Sequence, residues 1–262
     1  MKKINLSIAA VLLMSSASAF AANSDRSGVT CANLPTYAQL RTALAASVNA
    51  SAGGTQATST QGFGLPMWAT LVDSSGRVCA VAKIGGTDPW LGSRVISAQK
   101  ANTANAFSTN QIALSTANLF SAVQPGGSLY GLQHSNPVNT LVAYRGAATK
   151  FGAADDPMVG LRIGGVNVFG GGLALYNSAK QAVGAIGVSG DSSCADHNIA
   201  WNLRAALALA APTLVSNLVP GGVSPGPTAA GSDNIQYGAV GGWNHANCSG
   251  TNTVPALGAL TN

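Results

Sequence analysis

Twice along this chain a pair of short apolar runs, broken by a polar turn, leads into a segment of helical period. In the first block, residues 65–72 and 77–84 flank the turn Asp73-Ser74-Ser75-Gly76 and predict a hairpin, and residues 93–107 predict a helix. In the second, residues 173–177 and 182–189 predict a hairpin across 178–181, and a capped helix runs on to Ala211. Each hairpin delivers its chain to a helix that must bury an apolar stripe. The economical solution is an antiparallel sheet with helices packed on it, an α+β fold with one core in a profilin-like three-layer arrangement. Leu40, Leu44 and Val48 repeat at i, i+4 and predict a further helix over residues 34–48, and another is expected over 110–123. Residues 51–61 read as a polar loop.

The second block contains the stretch GAIGVSGDSS, where a strand passes through glycines into a helix. Gly184, Gly187 and Gly190 are spaced G-x-x-G-x-x-G, not as a dinucleotide turn, and no Gly-Lys-Ser/Thr follows. Ser189 in G-V-S-G falls one residue short of a nucleophile elbow. Glycines here also serve plain packing, letting a strand approach a helix. Ser193 with Asp196 gives S-x-x-D, a capping-box signal. Beyond it, Ile199, Leu203, Ala206, Leu207 and Ala210 form an apolar stripe, and His197, Trp201 and Arg204 share another face.

Met1 to Ala21 reads as a secretory signal peptide: Lys2 and Lys3, an apolar run over 8–14, then Ala19-Phe20-Ala21 as an A-x-A cleavage site. Residues 22–262 are then one exported domain, periplasmic or secreted, with no later run long enough to span a membrane. Residues 124–172 are rich in Gly, Pro and Asn and read as an insertion, and 212–262 as a Pro/Gly-rich tail. After cleavage eleven Lys/Arg face eight Asp, with no Glu, too weak and scattered a charge for nucleic acid. Charge-poor composition and the long insertion suit subunit contacts and predict a homo-oligomer. Four cysteines, Cys31, Cys79, Cys194 and Cys248, predict disulfides in an oxidising compartment. Of the three connectivities, Cys31–Cys79 with Cys194–Cys248 is favoured, because each bridge would tie a terminal segment to a core element. No C-x-x-C or H-x-x-x-H spacing supports zinc.

MWATLVDSSGRVCAVAKIGG (67–86), SAQKANTANAFS (97–108) and AVGAIGVSGDSSCADHNIAWNLRAALAL (182–209) together resemble the GlcG-type, HbpS-like haem-binding (haem-degrading) protein family. The family's strand–DxxG–strand hairpin, its A-x-K-A-x-T-A helix (here residues 98–104), its G-A-I-G-V-S-G strand and its Asp on the next helix (Asp196) occur in family order. The resemblance implies a helix-flanked antiparallel sheet, frequent oligomerisation, and haem or another tetrapyrrole as ligand.

Ile96, Lys100, Thr103 and Phe107 fall at i, i+4, i+7 and i+11 on one helical face, a cation and a hydroxyl among apolar side chains. That suits a porphyrin with anionic propionates, with Arg94 a second carboxylate partner. Lys100 snorkelling to water and Thr103 bonding its own preceding turn is the ordinary alternative. Iron takes His, Met, Cys or Tyr. His197, in the first helical turn where the dipole favours neutral imidazole, and His134, in the insertion near Tyr130, are the candidate ligands; His245 is a third imidazole, in the tail. Asp155-Asp156 is expected to be an ordinary turn. The expected function is an exported haem-binding scavenger, carrier or sensor component. A haem-degrading or other haem-dependent oxidative enzyme, and a cofactor-free assembly protein, are the alternatives.

Overall fold

The structure is a computed structural model that describes residues 30–51, 62–86, 89–221, 233–238 and 242–247. The predicted leader and Cys248 lie outside them. Helix α1 spans Tyr37–Ser51, and strands β1 (Met67–Asp73) and β2 (Val78–Ile84) form the first hairpin. Helix α2 (Ser93–Phe107) follows, then the one-turn helices α3 (Leu132–Ser135) and α4 (Thr140–Ala143). Strands β3 (Gly172–Tyr176) and β4 (Ala182–Ser189) form the second hairpin, and α5 (Ser193–Ala210) closes the block.

The hairpins join through their inner strands into one antiparallel sheet, ordered β2-β1-β4-β3. Strand alternation sends successive side chains to opposite faces. Met67, Ala69 and Leu71 of β1 meet the layer of α1 and α5, with Leu40, Leu44, Ile199 and Leu203. Trp68 and Val72 point the other way, to α2, with Val95, Ala98 and Ala101. This is the expected α+β arrangement of helix, sheet and helix layers.

The first turn explains its own sequence. Asp73 Oδ1 accepts from the Ser75 and Arg77 amides at 2.9 and 3.0 Å, and Gly76 takes the positive φ of 77° that closes the turn. In β4, a Cβ on Gly187 would lie 1.9 Å from the Ser97 carbonyl oxygen and 2.5 Å from the Ala101 nitrogen of α2. A glycine there lets α2 lie directly on the sheet.

Two expectations, the helix over 110–123 and the cap of α5, are corrected. Residues 110–123 form no α-helix: turns lead into a single 3-10 turn at Ser121–Val123. Local side chains take the backbone partners instead. Thr109 Oγ1 accepts from the Gln111 and Ile112 amides at 3.1 and 3.0 Å, and Asn110 Oδ1 accepts from the Ala182 amide at 2.8 Å. The segment read as an insertion, 124–172, packs against the core. Ala143, Met158 and Ile163 are buried in the α2-side core, and at the sheet edge the Leu161 carbonyl accepts from the Val78 amide while the Gly160 amide donates to the Val78 carbonyl. The cap of α5 is Ser192, not Ser193. Its hydroxyl accepts from the Ala195 amide, while the Asp196 carboxylate accepts from the Asp191 amide at 3.0 Å.

Cys31 and Cys79 are disulfide-bonded, joining the segment before α1 to β2. Cys194 is also disulfide-bonded; its expected partner, Cys248, lies outside the described residues. No helix among the described residues is long and apolar enough to cross a membrane.

Candidate functional site

The strand–helix junction read from GAIGVSGDSS borders a cleft of about 290 Å³. Ser189 ends β4, Asp191 lies in the connection, and Ser193 and Asp196 open α5. Ile96 and Lys100 of α2 form the opposite wall, as their i, i+4 spacing requires. Trp90 and Phe169 line the cleft too, and they are 51% and 45% exposed. Phe63 extends this aromatic rim, its ring 6.3 Å from that of Trp90.

The floor is ionic. Lys100 Nζ donates to Asp196 Oδ2 at 2.6 Å and to the Val188 carbonyl at 3.0 Å. Burial is the main influence on both groups: it pulls the Lys100 ammonium down, and it pushes the Asp196 carboxyl up to about 6. Their mutual attraction opposes each shift. Lys100 therefore does not snorkel to water. Two of its three ammonium hydrogens are engaged in these bonds. Asp191 is held by amides, accepting from Phe63 and Leu65 at 2.7 and 3.0 Å.

The other sequence candidates lie elsewhere. Arg94 is buried and forms a two-pronged bond to Asp156 at 2.8 and 2.6 Å, with a third donation to the Ala143 carbonyl. Its guanidinium stacks 3.6 Å from the centroid of Phe151. It clamps the 124–172 segment onto α2 and is not available to a ligand's carboxylate. Asp156, expected in an ordinary turn, is the other half of that clamp. Thr103 donates to the Gln99 carbonyl, the ordinary alternative, and also accepts from the Asn167 amide. Phe107 packs in a separate cluster with Leu114 and Leu119.

His197 is fully buried. Its Nε2 accepts from the Ile235 amide at 3.0 Å, so Nδ1 carries the hydrogen and has no partner. Desolvation, not the helix dipole, holds its pKa down at about 3. The face it shares with Trp201 and Arg204 is covered by the tail, where Asp233 takes Arg204 at 2.7 and 2.8 Å. His134 sits on exposed α3, and the cleft residues do not include it. Sequence reasoning gave least weight to His245. It is 6% exposed, its Nε2 lies 2.6 Å from Ser193 Oγ at the cleft wall, and its Nδ1 lies 2.7 Å from the Ala246 carbonyl. No spacing signal in the tail could have placed it there. The aromatic rim was equally silent, since Trp90 and Phe169 come from two distant loops.

The model of a family described as haem degrading protein HbpS-like matches residues 40–205. Solved structures with similarity include a PduOC:haem complex, at 25% identity over 66% of this chain and 94% of that one, with a TM-score of 0.43. The Klebsiella pneumoniae protein ORFY is 26% identical over 66% of this chain and 90% of its own, with a TM-score of 0.43. A structure of HbpS is 17% identical over the same shares, with a TM-score of 0.38. Comparison with curated proteins gave no match.

Proposed function

This chain belongs to the haem-degrading protein HbpS-like family, and from that premise we propose that it binds haem in the cleft between α2 and the start of α5. The observation that carries the reading is an exposed aromatic rim around a buried cation. Trp90, Ile96 and Phe169 offer apolar wall to a flat macrocycle, and the Lys100 ammonium offers a charged donor to one propionate. Bound haem would supply redox-active iron. Among the cleft-lining residues there is no His, Met, Cys or Tyr. His245, one hydrogen bond behind Ser193, is therefore the imidazole this reading assigns to iron, in place of His197 and His134.

Hemin titration tests it. A saturable Soret change is expected. Trp90→Ala and Phe169→Ala, which remove half-exposed rings, should each weaken binding by about tenfold, the worth of one large apolar contact. His245→Ala should move the Soret band. No saturable change in the parent protein overturns the reading.

The same reading makes the protein exported, which the Cys31–Cys79 bridge supports, since such bonds persist in oxidising compartments. Protein recovered outside the cytoplasm with its first residue after Ala21 is the expected result. It also makes the protein self-associating. An uncharged groove of about 510 Å³ between α1 and α5 is lined by Ala43, Ala46, Ala206 and Leu209, and Leu209 is 85% exposed. A protruding Leu beside a small-residue groove is complementary to a second copy of itself. Light scattering should give at least twice the mass of one chain.

A further inference from the structure

On the far side of the first turn of α2 lies a second cavity, of about 310 Å³, that the haem reading does not use. Ser93 and Ile96 face the cleft, whereas Gly92 and Val95 face this cavity. Leu91, Val95 and Phe151 give it apolar walls, Tyr144 stands at the edge, and Trp68 and Lys83 contribute the polar groups.

Trp68 is 1% exposed, yet its indole Nε1 has no hydrogen-bond partner. A buried N–H left without an acceptor is costly, and native proteins rarely tolerate it without a reason. The opposite edge of the indole is covered: a Cβ on Gly152 would come 3.0 Å from Trp68 Cζ3. Lys83 is the direct cross-strand partner of Trp68, and its ammonium lies 5.4 Å from the ring centroid. Among the described residues no carboxylate pairs with Lys83. The other cation of the lining, Arg94, is already neutralised by Asp156, and no acid lines the cavity.

An unmet buried donor, an unpaired cation and apolar walls with no competing acid ask for one kind of visitor. We propose that this cavity binds a small carboxylate with an apolar body, the carboxylate accepting from Trp68 Nε1 and facing the Lys83 ammonium. A neutral ligand of the same shape would leave the cation unanswered. The site is separate from the cleft and does not depend on haem being its occupant.

Benzoate is a suitable probe and benzamide its neutral control, followed by the indole N–H resonances in 1H–15N spectra. Trp68→Phe assigns the Trp68 signal by its loss. Benzoate should shift that signal saturably at millimolar concentration, and benzamide should not. Lys83→Gln, a partly exposed position whose loss leaves the core intact, should weaken benzoate binding about tenfold, as expected for one charged hydrogen-bond partner. The hemin titration of Lys83→Gln should match the parent. A parent that shows no benzoate shift at Trp68, an equal response to benzamide, or equal affinity in Lys83→Gln overturns the proposal. Failure of hemin binding with a normal benzoate response would fall on the haem reading alone.

Discussion

Lys100 Nζ lies 2.6 Å from Asp196 Oδ2, and both side chains are buried. The pair bolts α2 to the first turn of α5 past β4, whose Val188 carbonyl takes a second ammonium hydrogen. Removing one partner strands a buried charge, which costs far more than the pair itself contributes. Lys100→Met should destabilise the fold by about 3–5 kcal/mol. Combining it with Asp196→Leu should recover a large part of that loss. Urea unfolding of the four proteins of this cycle checks it; an additive double variant would show that the two groups act independently.

His197 sets an acid limit. Its folded pKa, near 3, is below the ordinary 6.5 because burial excludes the charged form. Below pH 6.5 the unfolded chain takes up a proton that the folded one refuses until about pH 3. The stability from neutral His197 is thus complete above pH 6.5 and falls away as pH drops towards 3. Asp196 has the opposite sign: its raised pKa favours the folded state at low pH and loses that advantage between about pH 4 and 6. Replacing the imidazole isolates its part. His197→Gln, whose side-chain oxygen can still accept from the Ile235 amide, should flatten the pH dependence of the unfolding midpoint between pH 3 and 6.5. An unchanged slope would show that the imidazole is protonated in the fold.

Gly187→Ala should destabilise the protein by about 1–3 kcal/mol or more, because the added methyl meets backbone atoms of α2 and has no side chain to push aside. The residue's φ is not in the left-handed region, so the cost is one of packing alone. Ala substitution at Gly92, where nothing lies within 4 Å, is the neutral control. Thermal melts of both variants compare them directly.

Breaking the Cys31–Cys79 bridge frees a loop closed over a separation of 48 residues. The Cys31→Ser/Cys79→Ser variant should lose roughly 2–4 kcal/mol, mostly through a freer unfolded chain. The loss should appear in chemical denaturation while the Trp90 and Phe169 side of the molecule keeps its hemin response, since the bridge lies on β2 and the cleft between α2 and α5.

Period and turn chemistry, being local, were legible in the chain. The Asp73–Gly76 turn, both hairpins, the stripes of α1, α2 and α5, and the facing of Ile96 with Lys100 all follow from neighbours within about a dozen residues. The helix expected over 110–123 failed because its Asn, Thr and Ser side chains bond the backbone, Asn110 across to Ala182 and Thr116 across to Gly172 among them. Which residue meets which across long stretches of chain was set by packing. Sequence alone offered Arg94, Lys100 and His197 as polar groups on helical faces, which ordinarily look to water or to a ligand. The fold turned Arg94 to Asp156, Lys100 to Asp196 and His197 to the amide of Ile235, since a buried polar group must find its partner wherever the chain's closure brings one.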